Sequence, residues 1–125
     1  SMAACDPDVE HLLELLAPLG AASARRMFGG WGAYIDGVIV GLVTGGTVYL
    51  KTDAQTRAEF EAAGSVPFAF KRGKREVETS YWSVPEAAMD SPGAMRPWAR
   101  LALEAARRKA EVKPARRRSA QAPVR

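Results

Sequence analysis

Few side chains in this sequence can do chemistry, and their spacing excludes more than it offers. There is one histidine, His11, and one cysteine, Cys5. A single chain therefore cannot assemble a Cys/His metal cluster or a histidine-based nucleophile triad. His11 lies two residues after Val9, about 200° round a helix, which places it on the polar face as a plain surface histidine. Glu59 and Glu61, like Glu76 and Glu78, stand two residues apart, a spacing that singles out no general acid/base pair. No catalytic, metal or cofactor constellation emerges, and the residues read as those of a non-enzyme.

Cations and aromatic rings give the stronger signal. Arg25 and Arg26 precede Met27-Phe28-Gly29-Gly30. They could contact phosphate or an acidic partner, or form structural ion pairs with acidic helices. Lys71, Arg72, Lys74 and Arg75 crowd one hairpin tip, either as a wing against DNA phosphates or as a solvated turn. Gly29, Gly30 and Gly32 could cradle an anion through backbone N–H groups. A phosphate loop would lead into a helix, whereas a strand and a hairpin follow, so these glycines read as points where another element approaches the sheet. Trp31, Tyr34 and Trp82 are the candidate interaction surface. Tyr81 and Trp82 are adjacent on a strand, so one ring faces the core. The other lies outward, as a partner or base-stacking surface or packed beneath the last helix. A pocket near Trp31 and Tyr81 is the alternative, for a small ligand or a small enzyme's substrate.

The charge is unevenly placed. The chain carries 18 Lys/Arg and 14 Asp/Glu, a net +4. Residues 107–125 hold eight of those cations, Arg116, Arg117 and Arg118 among them, and one acid, Glu111, so this stretch is +7. The other 106 residues have ten cations and thirteen acids, a net of −3. The pI of about 9.6 thus belongs to the tail. Such a tail binds nucleic acid non-specifically and loses affinity steeply with salt, or simply solubilises the domain. It has no interleaved aromatics to read bases.

At 125 residues and 47% hydrophobic content, the chain suits one domain with a real core. Residues 6–110 read as that domain and 111–125 as a flexible basic tail. The longest apolar run, Gly37 to Val43, is far too short to cross a membrane. Ser1 ahead of Met2 reads as a cleavage scar, and no signal peptide follows. With its lone cysteine, the chain is expected to be soluble and cytoplasmic.

The elements that position these residues follow from turn and cap chemistry. Asp6-Pro7-Asp8 starts a helix with Asp6 as N-cap, and Val9, Leu12, Leu13 and Leu16 give it one apolar face. Pro18 to Gly20 ends it, and Ala21 to Ser23 is a linker. A strand containing the glycines follows. Asp36-Gly37 is a type I′ turn signal, and Gly45-Gly46 accepts the same positive φ. The first strand, Val38 to Val43, and Val48 to Leu50 form a three-stranded meander. Thr52 matches a capping box, with Asp53 as the alternative cap, for a middle helix running to Ala63 whose Phe60 and Ala63 face the sheet. Pro67 to Phe70 and Arg75 to Val84 make a hairpin. The long last helix is expected from about Arg96, because Pro97 disfavours an earlier start, to Pro114. Met95, Trp98, Ala99, Ala102 and Ala106 are its apolar face, and Glu104 and Arg108 an i,i+4 pair. The fold class is α+β: a five-stranded antiparallel sheet, meander plus hairpin, flanked by an N-terminal, a middle and a long C-terminal helix.

A set of short stretches then acquires meaning in order. They are Arg26-Met27-Phe28-Gly29-Gly30-Trp31-Gly32, Asp36-Gly37, Val48-Tyr49-Leu50-Lys51 and Ala62-Ala63-Gly64-Ser65 followed by Pro67-Phe68. Tyr81-Trp82, Val84-Pro85-Glu86 and Trp98-Ala99 complete the set. Over roughly residues 8–108 the sequence resembles the N-terminal domain of the TfoX/Sxy family of bacterial competence regulators. The resemblance implies an antiparallel sheet flanked by helices. It also implies a role in promoting transcription of DNA-uptake genes alongside a cyclic-AMP-responsive activator. Full-length members of that family look like two-domain proteins with a second, helical domain, for which this sequence shows only the basic tail, as in a stand-alone version of the domain. The expectation is a regulatory or interaction domain with a protein partner, weak nucleic-acid affinity, no cofactor and no membrane. A homodimer through sheet edges is a further option.

Overall fold

The computed structural model describes residues 6–120, with side chains over 6–112. Helix α1 (Pro7–Leu16) is capped as its sequence dictates: Asp6 Oδ1 accepts from the Asp8 and Val9 N–H groups at 2.9 and 3.2 Å. A 3₁₀ turn (Ala17–Leu19) leads to β1 (Ala22–Met27), β2 (Gly30–Ile35), β3 (Val38–Thr44) and β4 (Thr47–Lys51). Next come α2 (Arg57–Ala62), β5 (Pro67–Arg72), β6 (Arg75–Ser83), a second 3₁₀ turn (Glu86–Asp90) and α3 (Pro92–Ala120). The strands form one antiparallel sheet in the order β1-β2-β3-β4-β6-β5.

The sheet has six strands, not five. Phe28 and Gly29 take φ of 47° and 77°, matching Asp36 and Gly37 at 49° and 79°. Both pairs are two-residue turns of the I′ kind, and the first splits what reads as one glycine-rich strand into β1 and β2. Most of the expected linker, from Ala22, is the start of β1. The glycines serve strand-to-strand contact rather than a separate layer. A Cβ on Gly30 would lie 2.5 Å from the Val43 carbonyl oxygen, and one on Gly32 would lie 2.7 Å from Met27 Sδ.

The helices also shift. The capping box at Thr52 does not form, because the Thr52 hydroxyl is drawn off to donate to the Ser80 carbonyl at 2.9 Å. The chain turns once more before α2 begins at Arg57. Phe60 is buried as expected, whereas Ala63 is exposed. Helix α3 starts at Pro92, one turn before Arg96. Ser91 caps it through Oγ to the Ala94 N–H at 3.1 Å, and Pro97 costs a single bond, to Gly93, near the end where bonds are fewest. The helix also runs through Pro114 to Ala120. An interior proline removes one N–H and can kink a helix without ending it.

The core lies between one sheet face and the helices. Val9, Leu12, Leu15 and Leu16 of α1 meet Ile35, Val40 and Leu50 of the sheet and Met95, Ala99 and Ala102 of α3. Each large side chain buried there contributes about 1.5–3 kcal/mol. Phe60 of α2 joins through an edge-on contact with Trp98, their ring centroids 5.0 Å apart. Small residues on the middle turns of α3 let it lie close over β3 and β4. Its next turns then overhang the end of β4.

Candidate functional site

The sequence-selected cations do not converge. Arg25 and Arg26 lie exposed on the edge strand β1, and Lys71, Arg72, Lys74 and Arg75 lie exposed on the β5–β6 hairpin at the opposite edge. At about 4.8 Å per strand these edges stand roughly 24 Å apart. Among the described residues these arginines pair with no acidic helix. The Arg25 guanidinium carbon lies 5.4 Å from the Tyr34 ring centroid, and that of Arg26 lies 5.3 Å from Trp31. Each such contact contributes about 0.5–1 kcal/mol at an exposed site. Arg116, Arg117 and Arg118 fall on the backbone of α3, with side chains outside the described residues. Cys5, expected in a loose N-terminal stretch, and Arg125 also lie outside them.

The aromatic expectations divide. Trp82 is no interaction surface: it pairs with Leu50 across β4 and β6 and is 9% exposed, within the core. The outward ring is that of Tyr81. Trp31 and Tyr34 are half-buried. Trp31 and Tyr81 line different hollows among the described residues. Trp31 borders a shallow dent of about 80 Å³ beside Phe28 and Phe68, while Tyr81 faces Tyr34, Lys51 and Lys109. His11 is exposed but not idle, its Nε2 donating to the Met89 carbonyl at 2.7 Å.

Two features escaped the sequence reading. The first is Phe28, whose ring is 98% exposed on the β1–β2 turn. A phenyl group in the left-handed region carries strain and, held wholly in water, gains no burial in return. Its signal is the absence of Asn, Asp or Gly where a type I′ turn prefers them.

The second is a cleft of about 450 Å³ where the end of β4 meets α3, lined by Lys51, Asp53, Arg57, Ser80, Arg108 and Lys109 among others. Lys51 is 6% exposed. Its Nζ donates to Ser80 Oγ at 2.6 Å and lies 5.0 Å from the Tyr81 ring centroid. Burial, reinforced by the nearby Lys109 ammonium and only partly opposed by Asp53, pulls the Lys51 pKa down to about 8. Burial likewise pushes the Tyr81 phenol up, with Tyr34 adding to the shift. Asp53 accepts from Arg108 Nε at 2.6 Å and from Nη2 at 3.0 Å. That guanidinium, chiefly, holds the Asp53 carboxyl below the ordinary carboxylate value. Arg108 therefore pairs with Asp53 and not with Glu104. Nothing at Val48-Tyr49-Leu50-Lys51 marks its lysine as buried, because the overhang of α3 covers it. The cleft thus carries four cations and one acid, and that acid is already engaged by one of the cations, Arg108. Among the described residues no three His, Cys, Asp or Glu side chains gather to hold a metal ion, and no helix is long and apolar enough to cross a membrane.

Comparison with known proteins places this framework. The model of the TfoX N-terminal domain matches residues 14–106. The chain is 27% identical over 104 residues to the DNA transformation protein TfoX1 of Aliivibrio fischeri, an alignment covering 83% of this chain and 50% of that protein. The chain thus spans about half the length of that curated relative.

Proposed function

The chain belongs to the TfoX N-terminal domain family, and on that premise we propose that it is a non-enzymatic, competence-related regulatory domain. It acts in the cytoplasm by binding a protein partner of the transcription machinery. The observation that carries this reading is Phe28: a bulky ring 98% exposed at φ 47°. Backbone strain that serves no packing is characteristic of binding sites, and buried aromatic anchors dominate interface energetics. Arg26, two residues before it and stacked on Trp31, and Arg25, three residues before it on the other face of β1, add positive charge suited to an acidic partner.

Nucleic-acid affinity on this reading is generic. The basic stretch from residue 111 and the exposed Lys71–Arg75 hairpin would supply it through phosphate contacts. The name of the relative, DNA transformation protein, fits such a role for the longer protein.

The deciding experiment compares the wild type with Phe28→Asn as bait for proteins from a cell expressing competence genes. The same pair is then measured by fluorescence anisotropy on duplex DNA across a salt series. Loss of one defined partner in the variant, with DNA binding unchanged, supports the reading. An identical partner set for both proteins removes it. A version ending at Ala110 separates the tail's contribution to DNA affinity from that of the hairpin.

A further inference from the structure

We infer that the cleft between the end of β4 and helix α3 binds a small organic phosphate monoester, held by Lys51, Arg108 and Lys109. Four cations line the cleft, Lys51, Arg57, Arg108 and Lys109, against one carboxylate, Asp53. That carboxylate is already committed: Arg108 occupies both of its oxygens, and the Gln55 N–H takes one of them again at 3.0 Å. Lys51 is 6% exposed and, among the described residues, makes one side-chain hydrogen bond, to the neutral Ser80 hydroxyl. An ammonium has three donors. Buried charges are ordinarily paired, yet among the described residues the charges that act on Lys51 are Lys109, a second cation, and Asp53, which Arg108 already engages.

Like charges converging on a concave, partly desolvated surface are costly in the free protein and favour an anion. Several facts select the class of anion. With the Arg108–Asp53 pair set against itself, three cations remain around one hollow, Lys51, Arg57 and Lys109, and they suit a dianion better than a monoanion. The volume of about 450 Å³ lies in the range of roughly 300–1,000 Å³ common for small-molecule sites and exceeds what a bare phosphate needs. The remaining walls are Thr52, whose hydroxyl is engaged by the Ser80 carbonyl, and the apolar Ala54, Ala105 and Val112, which would cover a nonpolar body attached to the phosphate. Arg108 is already oriented by Asp53, so its remaining N–H groups are pre-aimed, and pre-organised donors bind with less entropic loss.

A protonation signature follows. The groups facing Lys51 are Tyr34 on β2, Ser80 and Tyr81 on β6, Asp53 after β4, Arg57 on α2, and Arg108 and Lys109 on α3. A bound dianion outweighs the cations among these and restores the full charge of Lys51. Binding near pH 8 therefore takes up a proton.

The test uses the full chain with phenyl phosphate, inorganic phosphate, benzyl alcohol and sodium chloride at matched ionic strength. Melting temperature and titration calorimetry are the readouts. Phenyl phosphate is expected to raise the melting temperature saturably, inorganic phosphate less, and benzyl alcohol or chloride not at all, since only ligands of the folded state stabilise it. Lys109→Ala, at an exposed position, should weaken phenyl phosphate at least tenfold, and Lys51→Met should abolish its binding. Lys74→Ala, on the distant hairpin, should change nothing. Calorimetry at pH 8 in buffers of different ionisation enthalpy should show proton uptake, absent in Lys51→Met. An equal response to chloride overturns the inference, as does phenyl phosphate affinity unchanged in Lys109→Ala. Tight duplex DNA binding that Lys109→Ala abolishes, with no response to phenyl phosphate, overturns the small-molecule source and assigns the cleft to nucleic-acid phosphate.

Discussion

Arg108 grips Asp53 with two hydrogen bonds, Nε to Oδ2 at 2.6 Å and Nη2 to Oδ1 at 3.0 Å, across 55 positions of sequence. This fork ties helix α3 to the segment that follows β4 and sets the width of the basic cleft. Its two side chains are 33% and 28% exposed, so screening limits its contribution. Asp53→Asn is expected to cost about 1 kcal/mol in urea denaturation, the upper end for exposed pairs. The carboxyl titrates below 3.8 in the fold, so its stabilisation is complete above that value and fades as pH falls through the lowered folded value. The wild type should therefore lose more stability than Asp53→Asn in strong acid. Parallel acid profiles would show that the fork does not hold the two elements together.

Lys51 behaves in the opposite sense. Its pKa falls from 10.5 to about 8 in the fold, so the unfolded chain binds more protons between those values. Stability must then rise as pH climbs through that window. Lys51→Met keeps the stem's packing and removes the buried charge. It should be at least as stable as the wild type at pH 7 and lack the rise between about pH 8 and pH 10, read by chemical denaturation across that range.

How much of this was legible depends on whether a feature is local. Asp6-Pro7 and Asp36-Gly37 announced a cap and a turn because the chemistry lies within a few residues. Phe28-Gly29 did not, since phenylalanine is a poor left-handed residue and the turn rests on tertiary context. Thr52 looked like a cap until Ser80, 28 residues away, took its hydroxyl. The family resemblance was readable from short motifs because those motifs fix turns and core contacts such as Trp82 and Trp98. Lys51 was opaque: its burial comes from α3, and the carboxylate that acts on it, Asp53, is claimed by Arg108 from 55 positions away. The basic clusters stood out in composition, yet sequence could not show that the sheet holds them at opposite edges.

The glycines of β2 and β3 should differ in tolerance. A Cβ at Gly41 would meet the Tyr49 carbonyl oxygen at 2.6 Å, and backbone in mid-sheet cannot yield cheaply. At Gly32 the closest atom, at 2.7 Å, is Met27 Sδ, the end of a flexible side chain. Gly41→Ala is expected to cost about 2–3 kcal/mol, while Gly32→Ala should stay below about 1 kcal/mol because methionine repacks. Urea midpoints with unchanged slopes would measure both. Equal costs would mean that strand separation, and not side-chain room, limits the sheet.

Phe28 separates stability from binding most cleanly. Its ring is 98% exposed, so removing it forfeits almost no burial. Its φ of 47° suits asparagine, and Asn-Gly is the preferred pair for a type I′ turn. Phe28→Asn should therefore stabilise the domain by about 1 kcal/mol, since left-handed strain costs roughly that much. For a chain of this size the melting temperature should rise by about 4 °C. If the ring is a partner anchor, the same variant loses the partner while gaining stability. A structural ring would show the reverse, with the melting temperature falling and partner binding declining only as the fold weakens.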